Sequence, residues 1–213
     1  MRRVLFAALI AGAASLCGAQ TGSVPRPDVK VGDTWTYNRT TNSPVGGGFR
    51  QVRVVQVNDK AIQVVITDGV GKESDETYTR EWNAVGNAFG IFYPYVGLFQ
   101  FPLQVGGAYP FQFELVPALA TNVRTLQAHK VAVVGWEDVQ VPAGRYRAMK
   151  LESRGTWRRL DASGEGTAHF VVWYVPELRR WVKLAYEEDL RAATELKPVL
   201  RLVEELIAFK LEQ

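Results

Sequence analysis

Residues 49–67 read FRQVRVVQVNDKAIQVVIT, and this stretch carries the clearest structural signal in the chain. Valine and isoleucine are frequent on both sides of a central Asn-Asp-Lys, and such β-branched residues favour strands. The three central residues are short enough to join two antiparallel strands. Ile62, Val64 and Ile66 recur at every second residue, so they share one face of the second strand. The stretch therefore predicts a hairpin with an apolar face.

The same signature recurs along most of the chain. Short segments rich in Val, Ile, Thr, Trp and Tyr alternate with Gly, Asn and Asp, whereas long amphipathic helical patterns are scarce. DASGEG at residues 161–166 has the composition of a hairpin tip. The sequence predicts an all-β protein, a single strongly curved antiparallel sheet or incomplete barrel with few short helical turns. The predicted strands cover residues 33–41, 49–57, 61–67, 76–82, 109–115, 124–134, 146–160, 167–175 and 182–190.

The C-terminal segment, PVLRLVEELIAFKLEQ, carries two conflicting periods. Its first half has apolar residues at helical spacing, whereas Ile207, Phe209 and Leu211 alternate as in a strand. We predict a last strand over residues 206–211, and a helical turn before it is the alternative.

The N-terminus indicates export. Arg2 and Arg3 precede an apolar run over residues 4–16, and small residues follow up to Ala19. A basic head, a short apolar run and a small-residue exit are typical of a secretory signal peptide rather than of a membrane span. We therefore predict a signal peptide over residues 1–19, a lead-in segment over 20–32 and a single β domain over 33–213, in the periplasm or outside the cell.

Cys17 is the only cysteine, so no internal disulfide can form. A cysteine at the end of an exported apolar run is a candidate for lipidation, which would tether the protein to a membrane. Lipoprotein signals favour a small residue before that cysteine, and this chain has Leu16. Cleavage beside Ala19 is therefore the preferred interpretation, and a lipid anchor is the minority one.

Charge argues against a nucleic-acid partner. The net charge is +3, but Arg2 and Arg3 leave with the signal peptide, so the balance falls to +1. Nucleic-acid binders concentrate positive charge in a stripe. The nearest candidate, RGTWRR at residues 154–159, reads as the solvated end of a strand.

No local motif predicts catalysis or a metal. His129 and His169 are far apart and lack neighbouring ligand patterns, and no Gly-x-Ser-x-Gly elbow is present. Adjacent acids such as Glu204 and Glu205 point to opposite faces of a strand. We predict no catalytic residues, no metal and no cofactor, and therefore expect that the protein is not an enzyme. A hydrolase with a site assembled from distant residues is the open alternative.

Residues 89–105, FGIFYPYVGLFQFPLQV, are unusually apolar and are interrupted by glycine and proline, which prevent a regular helix. One interpretation is a loop that plugs the end of a β structure and joins its core. The other is a hydrophobic lid or rim that touches an acyl chain or another apolar partner. Both bury Phe92 and Phe99, and they differ in whether a cavity lies beneath.

Four phrases occur in order along the chain, VKVGDTWTY, FPLQVGGAY, VPAGRYRAMKLE and WYVPELRRWVKLAYE. With them the chain resembles a family of exported bacterial β domains whose function is not established. That family has the pattern VGxxWxY, FPLxVGxxW, VPAGxFxAxKLE and WYxPxxGxxVK. The resemblance implies a curved sheet or incomplete barrel, similar in outline to periplasmic lipoprotein carriers, with no established catalytic residue. The chain departs from the pattern at Tyr109, where tryptophan is common, and near Arg179, where glycine is common.

These observations predict a noncatalytic, exported cell-envelope protein that binds an apolar ligand, or a lipoprotein or envelope partner, inside a curved sheet. Two alternatives stay open, a structural or interaction module with a filled core and the hydrolase. Aromatic side chains would supply the apolar contact area. The candidate ligand-binding residues are Trp35, Tyr37, Phe92, Phe99, Trp136 and Trp173.

Overall fold

The computed structural model describes residues 22–43, 47–119, 122–192, 195–196 and 200–213. The predicted signal peptide, with Cys17, lies outside these residues. Within them no helix is long and apolar enough to span a membrane, and a 3-10 turn forms at Pro176–Leu178. The strands are β1 (Thr34–Thr41), β2 (Gly48–Val57), β3 (Ala61–Asp68), β4 (Glu73–Thr79), β5 (Ala84–Asn87), β6 (Gly90–Val96), β7 (Ala108–Pro117), β8 (Thr125–Val141), β9 (Gly144–Arg159), β10 (Glu165–Val175), β11 (Arg180–Ala192), β12 (Glu195–Leu196) and β13 (Leu200–Lys210).

The strands form one antiparallel sheet whose ends join. Each strand from β1 to β11 pairs with the next, β11 pairs with β13, and β13 pairs with β1. Twelve strands therefore make a closed ring, and the short β12 adds to β11 outside it. The predicted all-β, curved antiparallel sheet is confirmed, and the barrel is complete rather than partial. Closure pairs the two edges that an open sheet would expose.

Two strand predictions need correction. The strand predicted over residues 76–82 is β4, which ends at Thr79, and Trp82 lies in the following turn with φ of 65°. No strand was expected within residues 89–105, yet β6 occupies their first half. Proline is tolerated there because β6 pairs with β7 only as far as Tyr93, so Pro94 has no ladder bond to lose.

The C-terminal segment is a strand from Leu200 to Lys210, so the strand predicted over residues 206–211 begins earlier than expected and ends one residue before Leu211. β13 pairs with β1 on one side and with β11 on the other. The alternative of a helical turn before Leu206 is therefore wrong from residue 200 onward. Two neighbouring ladders satisfy the backbone of β13, and this tertiary pairing outweighs the helical spacing of its first half.

One end of the barrel, which we call the closed end, is filled by side chains, and a segment of the backbone crosses it. Residues 97–107 cross it, and the lead-in segment joins them through paired backbone hydrogen bonds between Val24 and Leu103 of 2.8 and 2.9 Å. Beneath, Trp35 packs edge-on against Trp82, with ring centroids 5.5 Å apart. The second half of residues 89–105 thus lies across this end of the barrel.

Arg179 connects the short 3-10 turn to the residue that precedes β1. It follows the turn Pro176–Leu178 with φ of 60°, a left-handed conformation that glycine adopts most easily. Its Nη1 donates to both carboxylate oxygens of the buried Asp33, each at 3.0 Å. This ion pair fixes Arg179 in that conformation and ties the turn before β11 to the start of β1.

A close contact between β8 and β9 gives a stability prediction. Gly155 lies opposite His129, and a Cβ there would be 2.4 Å from Cγ of the His129 ring. We expect Gly155→Ala to lower the free energy of unfolding by about 1–3 kcal/mol, the cost of overpacking. Gly86→Ala is the control, because its Cβ would meet nothing closer than 3.7 Å. Urea denaturation compares the two variants, and equal stabilities would contradict the expectation.

Candidate functional site

The opposite end of the barrel interior is not filled by side chains. A cavity of about 490 Å³ lies there, within the range of about 300–1,000 Å³ typical of small-molecule sites. Its lining reaches Asn87 and Phe89 at the β5–β6 turn, Arg159 at the end of β9 and Leu200 at the start of β13. These four residues lie at the end where β1 leads into β2, which we call the open end.

Most of the cavity wall is apolar. Phe92 and Phe113 meet edge to face, with ring centroids 5.7 Å apart, and both are buried. Strand alternation produces this wall, because Phe92 faces inward while its neighbours Ile91 and Tyr93 are exposed on the outer face of β6. The alanine, valine, leucine and phenylalanine residues of the lining are Ala84, Phe89, Phe92, Val96, Leu98, Phe99, Phe113, Leu115, Phe170, Leu184, Leu200 and Leu202.

A charged cluster interrupts this wall on β13, β1, β2 and β4. Nε of Arg39 donates to Oε1 of Glu204 at 2.9 Å, and Nη2 of Arg50 donates to Oε2 of Glu76 at 2.5 Å. Arg50 also lies 3.5 Å from Glu204, which joins the two pairs. The Tyr78 hydroxyl donates to Glu76 at 2.6 Å. We call Arg39, Arg50, Glu76 and Glu204 the charged cluster.

The cluster holds its charges in a buried setting. Burial by itself would raise the pKa of Glu204, but the attraction of Arg50 and Arg39 outweighs burial and lowers that pKa to about 2. Burial opposes the charge of Arg50 in the same way, while Glu76 and Glu204 raise its pKa above the usual value. Burial and the neighbouring Glu76 raise the pKa of Tyr78, so its hydroxyl remains a donor.

Arg180 is a buried cation in a cage of aromatic rings. Its Cζ lies 4.0 Å from the ring centroid of Trp82 and 3.9 Å from that of Trp181. Trp35 and Tyr78 lie further out, at 5.3 and 5.4 Å. Arg180 is 0% exposed, and among the described residues no acceptor takes a hydrogen bond from its three side-chain nitrogens. Cation–π attraction therefore holds the guanidinium without a carboxylate partner.

A buried histidine lies in the barrel wall beyond the cluster. His129 places Nε2 3.0 Å from Oε1 of Gln127 and Nδ1 3.1 Å from Oγ of Ser153, and its ring stacks on Phe111. Burial lowers the pKa of His129 to about 4, so the ring is neutral at pH 7. A serine nucleophile must be reached by substrate, but Ser153 is 1% exposed and does not line the cavity. We therefore interpret His129 and Ser153 as a buried hydrogen-bonded pair in the barrel wall and not as a catalytic pair.

This depressed pKa predicts how stability depends on pH. An unfolded histidine takes up its proton near pH 6.5, whereas folded His129 does so near pH 4, so the unfolded state binds more protons between these values. Stability is therefore lost as the pH falls through that window, by about 3 kcal/mol. We expect His129→Gln to remove this part of the loss. Urea denaturation of both proteins at about pH 7 and about pH 4 tests this expectation. If both proteins lose the same free energy of unfolding between these pH values, the expectation is contradicted.

The predicted ligand-binding residues fall into three groups. Phe92 and Phe99 are buried, as predicted, and both line the cavity. Trp35 and Tyr37 are fully buried in the core of the closed end and do not line it. The other two, Trp136 and Trp173, also lie away from the lining, and the Trp173 ring has Lys150 and Lys183 over it at 5.7 and 5.6 Å.

Sequence reasoning missed the charged cluster and Arg180. A signal was present in the strand phase, because Arg50 occupies the same alternation as Val52 and Val54. Glu204 likewise shares the phase of Leu202 and Leu206. A charge at an inward position marks a buried ionic group or a binding group, and the pattern alone does not say which.

Exposed apolar side chains are frequent at the open end. They occupy strand ends and turns there, next to the mouth of the cavity, and Phe89 also forms part of the lining. These residues are Phe49, Val70, Phe89, Ile91, Leu119 and Leu160.

Nowhere among the described residues are three His, Cys, Asp or Glu side chains placed to hold a metal ion together.

No protein-family model matches the chain, and no curated protein matches its sequence. Among solved structures, a candidate lipoprotein from Parabacteroides distasonis is 13% identical, with a TM-score of 0.53 over 89% of this chain and 100% of that chain. A candidate exported protein with a YmcC-like fold from Bacteroides fragilis is 16% identical, with a TM-score of 0.40 over 89% and 100% of the two chains. At 13% identity, the likeness to the Parabacteroides protein is one of fold alone.

Proposed function

We propose that this chain is an exported envelope protein that holds an apolar ligand inside its barrel, without catalysis. The observation that carries the proposal is the cavity of about 490 Å³, whose wall is formed largely by inward-facing Phe, Leu and Val side chains. Removing apolar ligand surface from water into such a wall is worth about 25 cal/mol per Å². Phe89, which is both exposed and part of the lining, offers an entering ligand apolar surface at the mouth.

The two other functions have less support. A module with a filled core agrees with the closed end only, since the other end holds the cavity. A hydrolase needs titratable groups that converge on a reachable substrate. The acids of the charged cluster are instead occupied by Arg39 and Arg50, and Ser153 is buried away from the cavity.

Export rests on the sequence of residues 1–19, and the description of the Parabacteroides protein as a candidate lipoprotein is in keeping with it. We expect mass spectrometry of the exported protein to find a chain that begins after Ala19 and carries no acyl group. A diacylated chain beginning at Cys17 would support the lipid anchor instead. A protein that stays inside the cell with residues 1–19 still attached would contradict export.

Ligand binding is tested with a neutral apolar fluorophore, N-phenyl-1-naphthylamine. We expect its emission to rise and saturate at one molecule per barrel, because the cavity offers one enclosed apolar volume. Dodecan-1-ol should displace the fluorophore. A linear, non-saturable signal, or no signal, would contradict the proposal.

A further inference from the structure

The charges buried around the cavity do not balance. The charged cluster contains two arginines and two glutamates, which pair with one another. Arg180 adds a third buried cation that makes no direct ion pair among the described residues, and Glu204, already paired with Arg39, attracts it only at longer range. The excess is therefore one positive charge.

Other charged groups of the lining leave this excess in place. Arg159 lies near the mouth and pairs with Asp161, so the two cancel. Glu188 accepts a hydrogen bond from the Tyr186 hydroxyl and lies toward the open end of β11, eight residues along the strand from Arg180. Neither group supplies an anion for Arg180.

The excess charge lies directly beneath the bottom of the cavity. Trp82 and Trp181, whose rings enclose the Arg180 guanidinium, both line the cavity. Arg39 and Arg50 line the cavity as well, nearer the open end, and each of them is paired with a glutamate. The apolar wall, by contrast, continues to Phe89 and Leu200 at the open end.

Energetics favour an anion at this position. A buried ion without a direct partner is unfavourable, even after the protein relaxes around it. Cation–π contact with desolvated rings offsets part of this cost and leaves the charge partly compensated. A ligand anion at the bottom of the cavity would complete the compensation without breaking either pair of the charged cluster.

On the basis of the proposed function, we infer that the ligand is a single-chain amphiphile with an anionic head. Its head lies at the inner end of the cavity, near Trp82, Trp181 and the charged cluster. Its apolar tail lies along the wall formed by Phe92 and Phe113 and ends near the mouth. The fold thus selects for a negative charge at one end of an apolar chain.

Three ligands with the same tail and different heads test this inference, by displacement of N-phenyl-1-naphthylamine at about pH 8. They are dodecanoate, dodecan-1-ol and dodecyltrimethylammonium. We expect dodecanoate to bind at least about tenfold more tightly than dodecan-1-ol, and the cation to bind most weakly. Equal binding of dodecanoate and dodecan-1-ol would overturn the inference and leave the proposed function intact. Failure of all three to bind would overturn both.

Variants assign the preference to the buried charge. Arg180→Met should reduce the preference for dodecanoate over dodecan-1-ol to less than about threefold, whereas Arg180→Lys should keep it. Glu76→Gln should increase the preference, because it adds one unit to the positive excess. Arg53→Met is the control, since it removes an exposed arginine of β2. If Arg180 had a purely structural role, Arg180→Met would weaken the binding of all three ligands by the same factor. An unchanged preference for dodecanoate in Arg180→Met would overturn the role of the Arg180 charge.

Discussion

Replacing Glu204 by leucine is expected to lower the free energy of unfolding by about 3–5 kcal/mol. The carboxylate is 2% exposed and lies between the partly buried Arg39 and the buried Arg50, so its removal takes away the anion that these two cations share. Leucine fills a similar volume, which makes charge rather than packing the main change. Urea denaturation near pH 7 measures the effect.

Glu205→Leu provides the matched control on the same strand. Glu205 faces outward and pairs with Lys183 at 2.7 Å in a partly exposed bridge, worth about 0–1 kcal/mol. Losses of similar size in the two variants would contradict a buried ionic cluster. The pH dependence gives a second check, because a carboxylate with a lowered pKa stabilises the fold above about pH 4.5, and this contribution is lost as the pH falls toward about 2.

Blocking the cavity with Leu115→Trp is expected to weaken binding of N-phenyl-1-naphthylamine at least about tenfold. Leu115 is a half-buried residue of β7 that lines the cavity, so the larger indole would occupy ligand volume. The stability of the barrel should change little, because the added atoms enter a cavity rather than a filled core. Fluorescence titration measures the affinity.

Gln112→Trp carries the same substitution on the outer face of β7, where the side chain is exposed. We expect it to bind the fluorophore as the unmodified protein does. If both variants bind normally, the fluorophore occupies some other surface, and the cavity is not the site. If both lose binding equally, the effect belongs to strand β7 and not to the cavity.

Most of the fold could be predicted from alternation and turn residues, because a strand with one buried face repeats its apolar residues every second position. Ile62, Val64 and Ile66 are buried on one face of β3, as their spacing predicts. β6 escaped prediction because proline and glycine mask its alternation. The first half of β13 has helical spacing but forms a strand, because pairing with β1 and β11 determines its conformation. That pairing cannot be seen in the local sequence.

The site was predictable only in part. Phe92 and Phe99 were recognised from an unusually apolar stretch, and they line the cavity. The volume of the cavity depends on how twelve strands close, which no local pattern encodes. The ion pair of Arg39 and Glu204 joins residues 165 positions apart, so it becomes visible only when β1 and β13 meet.

The most direct test of an apolar ligand inside the barrel is the nuclear Overhauser effect between bound dodecan-1-ol and strand β6. Phe92 faces the cavity, whereas its neighbours Ile91 and Tyr93 are exposed on the outer face of the same strand. We expect cross-peaks from the alkyl chain to the ring protons of Phe92 and Phe113. Cross-peaks confined to Ile91 and Tyr93, or none to either face, would contradict it.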